Sequence, residues 1–117
     1  MNIVVYGIAN CDTVKKARRW LQDNHLAHRF HDFKKEGVPA QRLARWCAEL
    51  GWEPLVNRKG TTWRKLDPAT QASARDEAGA IALMLAQPSV IRRPVVEWAE
   101  GTTVGFEPEA WAPHTNR

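Results

Sequence analysis

The apolar and polar positions open on a β-branched run over residues 2–6 that stops at Gly7, the pattern of a buried first strand. After a short loop, Asn10, Asp12 and Thr13 are each able to cap a helix. From Thr13 the residues Val14, Ala17, Trp20 and Leu21 recur at helical spacing, which predicts a helix over Thr13–Asn24. His28-Arg29-Phe30-His31-Asp32-Phe33 alternates as a strand does, and Gly37 breaks it. Pro39 suits a first helical turn, and Leu43, Trp46, Cys47 and Leu50 make one apolar face that ends at Gly51. Residues 57–66 are polar, basic and turn-like ahead of a short helix. Asp67-Pro68 then opens a helical stretch whose stripe is Ala78, Ile81, Ala82 and Leu85, up to Gln87-Pro88. Val95–Trp98 and Thr102–Phe106, separated by Glu100-Gly101, read as a hairpin, and a last short helix follows Pro108. The predicted order is β-α-β, then helices, then β-β-α: an α/β fold without repeats or low-complexity tracts.

At 117 residues, with 44% hydrophobic and 26% charged positions, the chain is expected to be one domain spanning 1–117 with its own core. No apolar run approaches the ~20 residues that cross a bilayer, and the start lacks a charged region followed by an apolar one. A soluble, monomeric, cytoplasmic protein is expected, with no membrane partner. The net charge of +4 favours a small anionic ligand and falls short of a nucleic-acid-binding tail.

Cys11 is the residue most suited to chemistry. A thiol at a helix N-terminus meets unpaired backbone amides and the positive end of the helix dipole, which favour the nucleophilic thiolate. Lys15, one turn on, could fold its ammonium back to the same anion. Cys47 sits between Trp46 and Leu50 on an apolar helix face and reads as structural. Val14 stands three positions after Cys11, so a Cys-x-x-Cys pair is absent and turnover needs a second thiol from outside, for which glutathione is the usual cytosolic source. His25, His28 and His31 straddle a helix end and a strand without completing a ligand set, so no metal is expected. A Gly-rich phosphate loop and a serine elbow are also absent.

Binding an oxyanion, or the carboxylates of a tripeptide, calls for planar bidentate donors. Arg58 and Arg93 are the favoured candidates, ahead of Arg64 and Arg92. Arg93 precedes Pro94, and an X-Pro bond permits a cis peptide. Trp20, Trp46 and Trp98 hold core-like positions, whereas Trp63 could face the site.

Three segments, Tyr6–Ala17, Asn57–Leu66 and Gln87–Val95, together resemble the arsenate reductase (ArsC) family in its YffB branch, over almost the whole chain. The resemblance implies a thioredoxin-like, four-stranded mixed sheet flanked by helices, with a helical insertion between the βαβ and ββα halves. It implies that Cys11 is the nucleophile, that Arg58 and Arg93 hold the anion or glutathione, and that Pro94 is cis; Pro94, Asn10 and Lys15 are expected to share with the two arginines in binding substrate or glutathione. It further implies no bound cofactor, glutathione as co-substrate, and glutathione and glutaredoxin as reducing partners. Glutathione-coupled arsenate reductases carry a histidine where this chain has Gly7 and a third arginine near the position of Phe106 or Glu107. The expected activity is therefore glutathione-dependent thiol-disulfide reduction. The alternatives are arsenate reduction and, from another class, a non-catalytic interaction module.

Overall fold

The computed structural model describes residues 3–115; Asn2, the first residue of the expected opening run, lies outside them. In chain order the elements are β1 (Ile3–Gly7), α1 (Asp12–Asp23), β2 (His28–Asp32), α2 (Phe33–Glu36), α3 (Ala40–Leu50), α4 (Thr61–Lys65), α5 (Pro68–Ser73), α6 (Glu77–Ala86), β3 (Val95–Trp98), β4 (Gly101–Val104) and α7 (Pro108–Trp111), with 3-10 turns between some of them. The chain gathers into two compact units: Gly37–Arg92 is one, and the segments on either side of it form the other.

In the flanking unit the four strands lie in the order β2-β1-β3-β4. β1 runs parallel to β2, with Val5 opposite Phe30, and antiparallel to β3, with Val5 opposite Val96; β3 and β4 form the antiparallel hairpin. This is the mixed thioredoxin-like sheet the resemblance implied. Side chains alternate across a strand, so Ile3, Val5, Phe30, Val96 and Trp98 share one face, where they meet Ala17 and Leu21 of α1 and Trp111 of α7. Trp111 is the hub of this cluster. Its ring packs edge-on against Trp98 at 5.1 Å, Phe106 at 4.9 Å and Trp20 at 5.5 Å between centroids. On the opposite face the Tyr6 hydroxyl donates to Glu97 Oε1 at 2.9 Å, and its ring packs on His31.

Several boundaries differ from the pattern reading, two of them for a clear local reason. Phe33 begins α2 instead of ending β2, because the Asp32 carboxylate accepts the Lys34 N–H at 2.9 Å and turns the chain. β4 stops at Val104, and Gly105 takes φ +85, a left-handed conformation suited to glycine.

In the Gly37–Arg92 unit, α3 packs against α6 and buries Leu43, Trp46 and Cys47. The helix expected from Asp67 to Gln87 is two helices. Asp67 caps α5 by accepting from Thr70 N at 2.8 Å, and Asp76 caps α6 by accepting from Gly79 N at 2.8 Å. The buried face of α6 is Ala80, Leu83 and Met84, not the expected stripe; Ala78, Ala82 and Leu85 are exposed. Apolar residues surround this helix, so periodicity alone does not select its inner face. Among the described residues no helix is long and apolar enough to cross a membrane.

Candidate functional site

Cys11 ends the loop that leaves β1 and is the N-cap of α1, in extended conformation, one residue before the helix start at Asp12. Its carbonyl accepts the first helical bond, from Lys15 N at 2.9 Å. The side chain is half-buried, neither sealed in the core nor fully in water. Burial on its own would raise the thiol pKa. The Val14 N–H, the Arg93 guanidinium acting by hydrogen bond and by charge, and the Thr13 N–H outweigh it, so the thiol ionises below its ordinary value. The amides at the start of α1 thus favour the thiolate, although the Cys11 side chain makes no capping hydrogen bond in the helix-start geometry.

Arg93 reaches the thiol from the chain segment that enters β3. The Arg93–Pro94 bond is cis. Pro94 is buried, and its carbonyl accepts the Gly105 N–H at 2.9 Å, which fastens the start of β3 to the end of β4. Arg93 therefore sits in the connecting segment, directly before a residue fastened to the end of β4.

The other expected residues stand differently. Asn10 is exposed in the turn just before Cys11. Lys15 is not among the groups acting on the thiol. Its side chain is exposed and lines a groove of about 510 Å3 along α1, together with Asp12, Lys16, Arg18 and Arg19. Arg58 belongs to the other unit, on the exposed turn Asn57–Gly60, where its guanidinium lies over the rings of Trp63 and Trp52. Trp63 thus has a cation as its ring partner, within its own unit. Trp52 was not singled out, and an indole six positions before an arginine is a weak signal. Cys47 is buried in α3, and burial together with Glu77 pushes its thiol up to about 11, the opposite of what a nucleophile needs.

Gly7 has a steric reason. A Cβ added there would sit 2.8 Å from one methyl of Val14 and 3.5 Å from the other, with Phe30 at 3.8 Å. Val14 is 1% exposed and β-branched, so it has little room to yield. With Val14 in place, any side chain four residues ahead of Cys11 would have to displace a buried methyl.

Residues 6–113 match the model of the ArsC family. The chain belongs to the ArsC family. An uncharacterized protein of Haemophilus influenzae is 39% identical over 104 residues, covering 89% of this chain and 90% of that protein. The solved YFFB protein is 56% identical and superposes with a TM-score of 0.90 over 95% of this chain and 96% of its own. An arsenate reductase (ArsC) related protein of Brucella melitensis is 46% identical, with a TM-score of 0.76 over 100% and 97% of the two chains. An arsenate reductase of Vibrio cholerae is 19% identical with a TM-score of 0.78 over 97% of each chain, a likeness of fold. The family and its YffB branch are those that the three sequence segments resembled.

Proposed function

We propose that this chain is a glutathione-linked thiol-disulfide reductase that works through Cys11. Membership of the ArsC family supports a thiol-based reductase. The observation that carries the finer reading is the Cys11 thiol itself: half-buried, yet ionising below its ordinary value because backbone amides and Arg93 face it.

In this reading the Cys11 thiolate attacks one sulfur of a disulfide. A Cys11 mixed disulfide forms, the original S–S bond breaks, and the departing thiolate takes a proton from solvent. Glutathione thiolate then attacks the mixed disulfide on the sulfur not belonging to Cys11, so a glutathione disulfide leaves and the Cys11 thiolate returns. These steps free one substrate thiol and leave the other joined to glutathione; a second glutathione thiolate attacks that product, so two glutathione thiols become one glutathione disulfide and supply the two electrons that reduce the substrate bond. Arg93 favours the thiolate at the start and again as leaving group at the end. Position 14 holds valine, so a second thiol in the same loop does not compete for the mixed disulfide.

The test is glutathione-dependent turnover of a small symmetrical disulfide by wild type and Cys11→Ser. Loss of turnover in the variant is expected; equal rates overturn the reading. Arsenate reduction is the second reading, drawn from the family. Glycine at position 7, where an added Cβ would press on a buried Val14 methyl, disfavours it. Arsenate-dependent oxidation of glutathione with glutaredoxin present, at a rate above that with the disulfide, would reverse the preference.

A further inference from the structure

Charge along α1 is placed against the stability of the helix itself. Its acids, Asp12 and Asp23, stand at the two ends, Lys15, Lys16, Arg18 and Arg19 lie between them, and no basic residue stands in the last turn, where the dipole would favour one. Lys15 and Arg19 are one turn apart, a spacing at which like charges repel. Among the described residues no carboxylate pairs with any of the four cations, and Lys15, Lys16 and Arg19 are exposed. A charge pattern that opposes its own element is expected where the surface serves binding.

Arg18 is the held member of the group. It is half-buried, its Cζ lies 4.4 Å from the centroid of the Phe30 ring, and its Nε donates to His28 Nε2 at 3.2 Å. Burial, and after it the Arg18 charge, hold His28 below the ordinary imidazole pKa, so the ring keeps the lone pair that accepts this bond. The guanidinium is thus fixed by its face and by Nε. Its terminal nitrogens, which can grip a carboxylate with two parallel bonds, make no bond to the described residues.

Cys11, Lys15 and Arg18 follow one another at i, i+4 and i+7 and lie along one stripe of the helix. At about 1.5 Å of rise per residue, Arg18 and Arg19 stand roughly 10–12 Å along α1 from Cys11. An extended segment laid beside the helix, at about 3.3 Å per residue, covers that distance in roughly three to four residues. Asp12, exposed directly after Cys11, disfavours an acid next to the reacting sulfur. A nucleic-acid strand, charged at every step, would meet Asp12 too and carries no disulfide.

We propose that the α1 face bearing Lys15, Arg18 and Arg19 is a docking surface for an extended protein segment whose carboxylates lie roughly three to four residues from a disulfide-bonded cysteine. This names the substrate class and rests on the thiol-disulfide reading above. The chemistry is unchanged: the disulfide of the segment breaks as the bond from Cys11 sulfur forms, the departing thiolate takes a proton from solvent, and two glutathione thiols supply the electrons.

The experiment uses short peptides with a central cysteine disulfide-bonded to 2-mercaptoethanol. One carries glutamates at the third and fourth positions on both sides of the cysteine, a second carries glutamines there, and a third carries the glutamates at the first and second positions. Wild type is expected to turn over the distal-glutamate peptide with a kcat/KM about 3- to 10-fold above that of the glutamine peptide. The proximal-glutamate peptide should gain less. Arg18→Gln and Arg19→Gln should each lower the preference, and Arg18→Lys, which keeps the charge and loses the fork, should lower it part of the way. Fluorescence anisotropy of labelled peptides with serine replacing the cysteine should rank the affinities in the same order. Absence of a preference in wild type overturns the inference. So does an equal preference for both glutamate peptides, or one untouched by Arg18→Lys and Arg19→Gln, since either means attraction by net charge without docking. Tighter binding of a single-stranded oligonucleotide of equal charge overturns the assignment to a protein segment. If Arg18→Gln does not fold, Arg19→Gln, at an exposed position, decides it. If wild type turns over no disulfide, the thiol-disulfide reading fails, and the serine peptides still decide the docking.

Discussion

At the scale of single residues, the two thiols are set apart by what faces them. Cys11 meets two backbone amides and a guanidinium, while Cys47 meets apolar neighbours and the charge of Glu77. Iodoacetamide at a pH near the ordinary thiol value of about 8.5 should modify one thiol per native chain, at Cys11, and two in denaturant; mass spectrometry of the digest reads this directly. Arg93→Gln removes the hydrogen bond and the charge that lower the Cys11 pKa, so the midpoint of its alkylation profile should move to higher pH. An unmoved midpoint would assign the effect to the amides of α1. The linkage signs follow. A lowered folded-state pKa contributes stability that is present above the unfolded thiol value and lost as pH falls through the folded value, so Cys11 adds stability on the alkaline side. Cys47 does the reverse: its contribution is whole below 9.0 and is lost as pH rises toward about 11.

At the scale of elements, the pattern of residues marked what exists better than which way it faces. α1 begins one residue before the expected Thr13, because Cys11, and not Asp12, occupies the N-cap without a side-chain capping bond, and a cap sought among side-chain oxygens overlooks it. The strands of the sheet were legible because β-branched runs and alternation are local. The inner face of α6 was not, since its sequence is apolar nearly all round and tertiary packing against α3 makes the choice. The approach of Arg93 to Cys11, 82 positions earlier (93 − 11), came only from family resemblance, because no local spacing encodes it. The start of α6 offers a test of its own. Asp76→Ala should cost about 0.5–2 kcal/mol in urea unfolding through loss of the Gly79 N–H bond. Gly79→Ala should be severe as well, because an added Cβ would run into the Ser73 carbonyl oxygen, which is backbone and cannot swing away.

At the scale of the molecule, stability of the sheet-bearing unit converges on Trp111, a residue the pattern reading passed over in a four-residue helix near the end of the described chain. It is 1% exposed and touches aromatic rings from α1, β3 and the loop after β4. Trp111→Ala should cost about 3–5 kcal/mol, read as a lower denaturant midpoint. Charge acts over the same distances. With a net +4 and Lys15, Lys16, Arg18 and Arg19 along the groove of α1, reduction of an anionic disulfide should slow as ionic strength rises, while reduction of a neutral one holds steady. Parallel salt profiles for the two substrates would show that the groove does not steer.

The contact between Gly7 and Val14 also constrains how this loop can change. The valine holds the third position after the nucleophile, where a second cysteine would stand, and its methyl crowds the place a Cβ at position 7 would take. The two sites therefore have a fixed order of replacement. Position 14 has to shrink first, and until it does every substitution at position 7 meets its methyl. A single-step library over this loop would score position 7 as immutable, whereas the same library built on Val14→Ala or Val14→Cys would find it open.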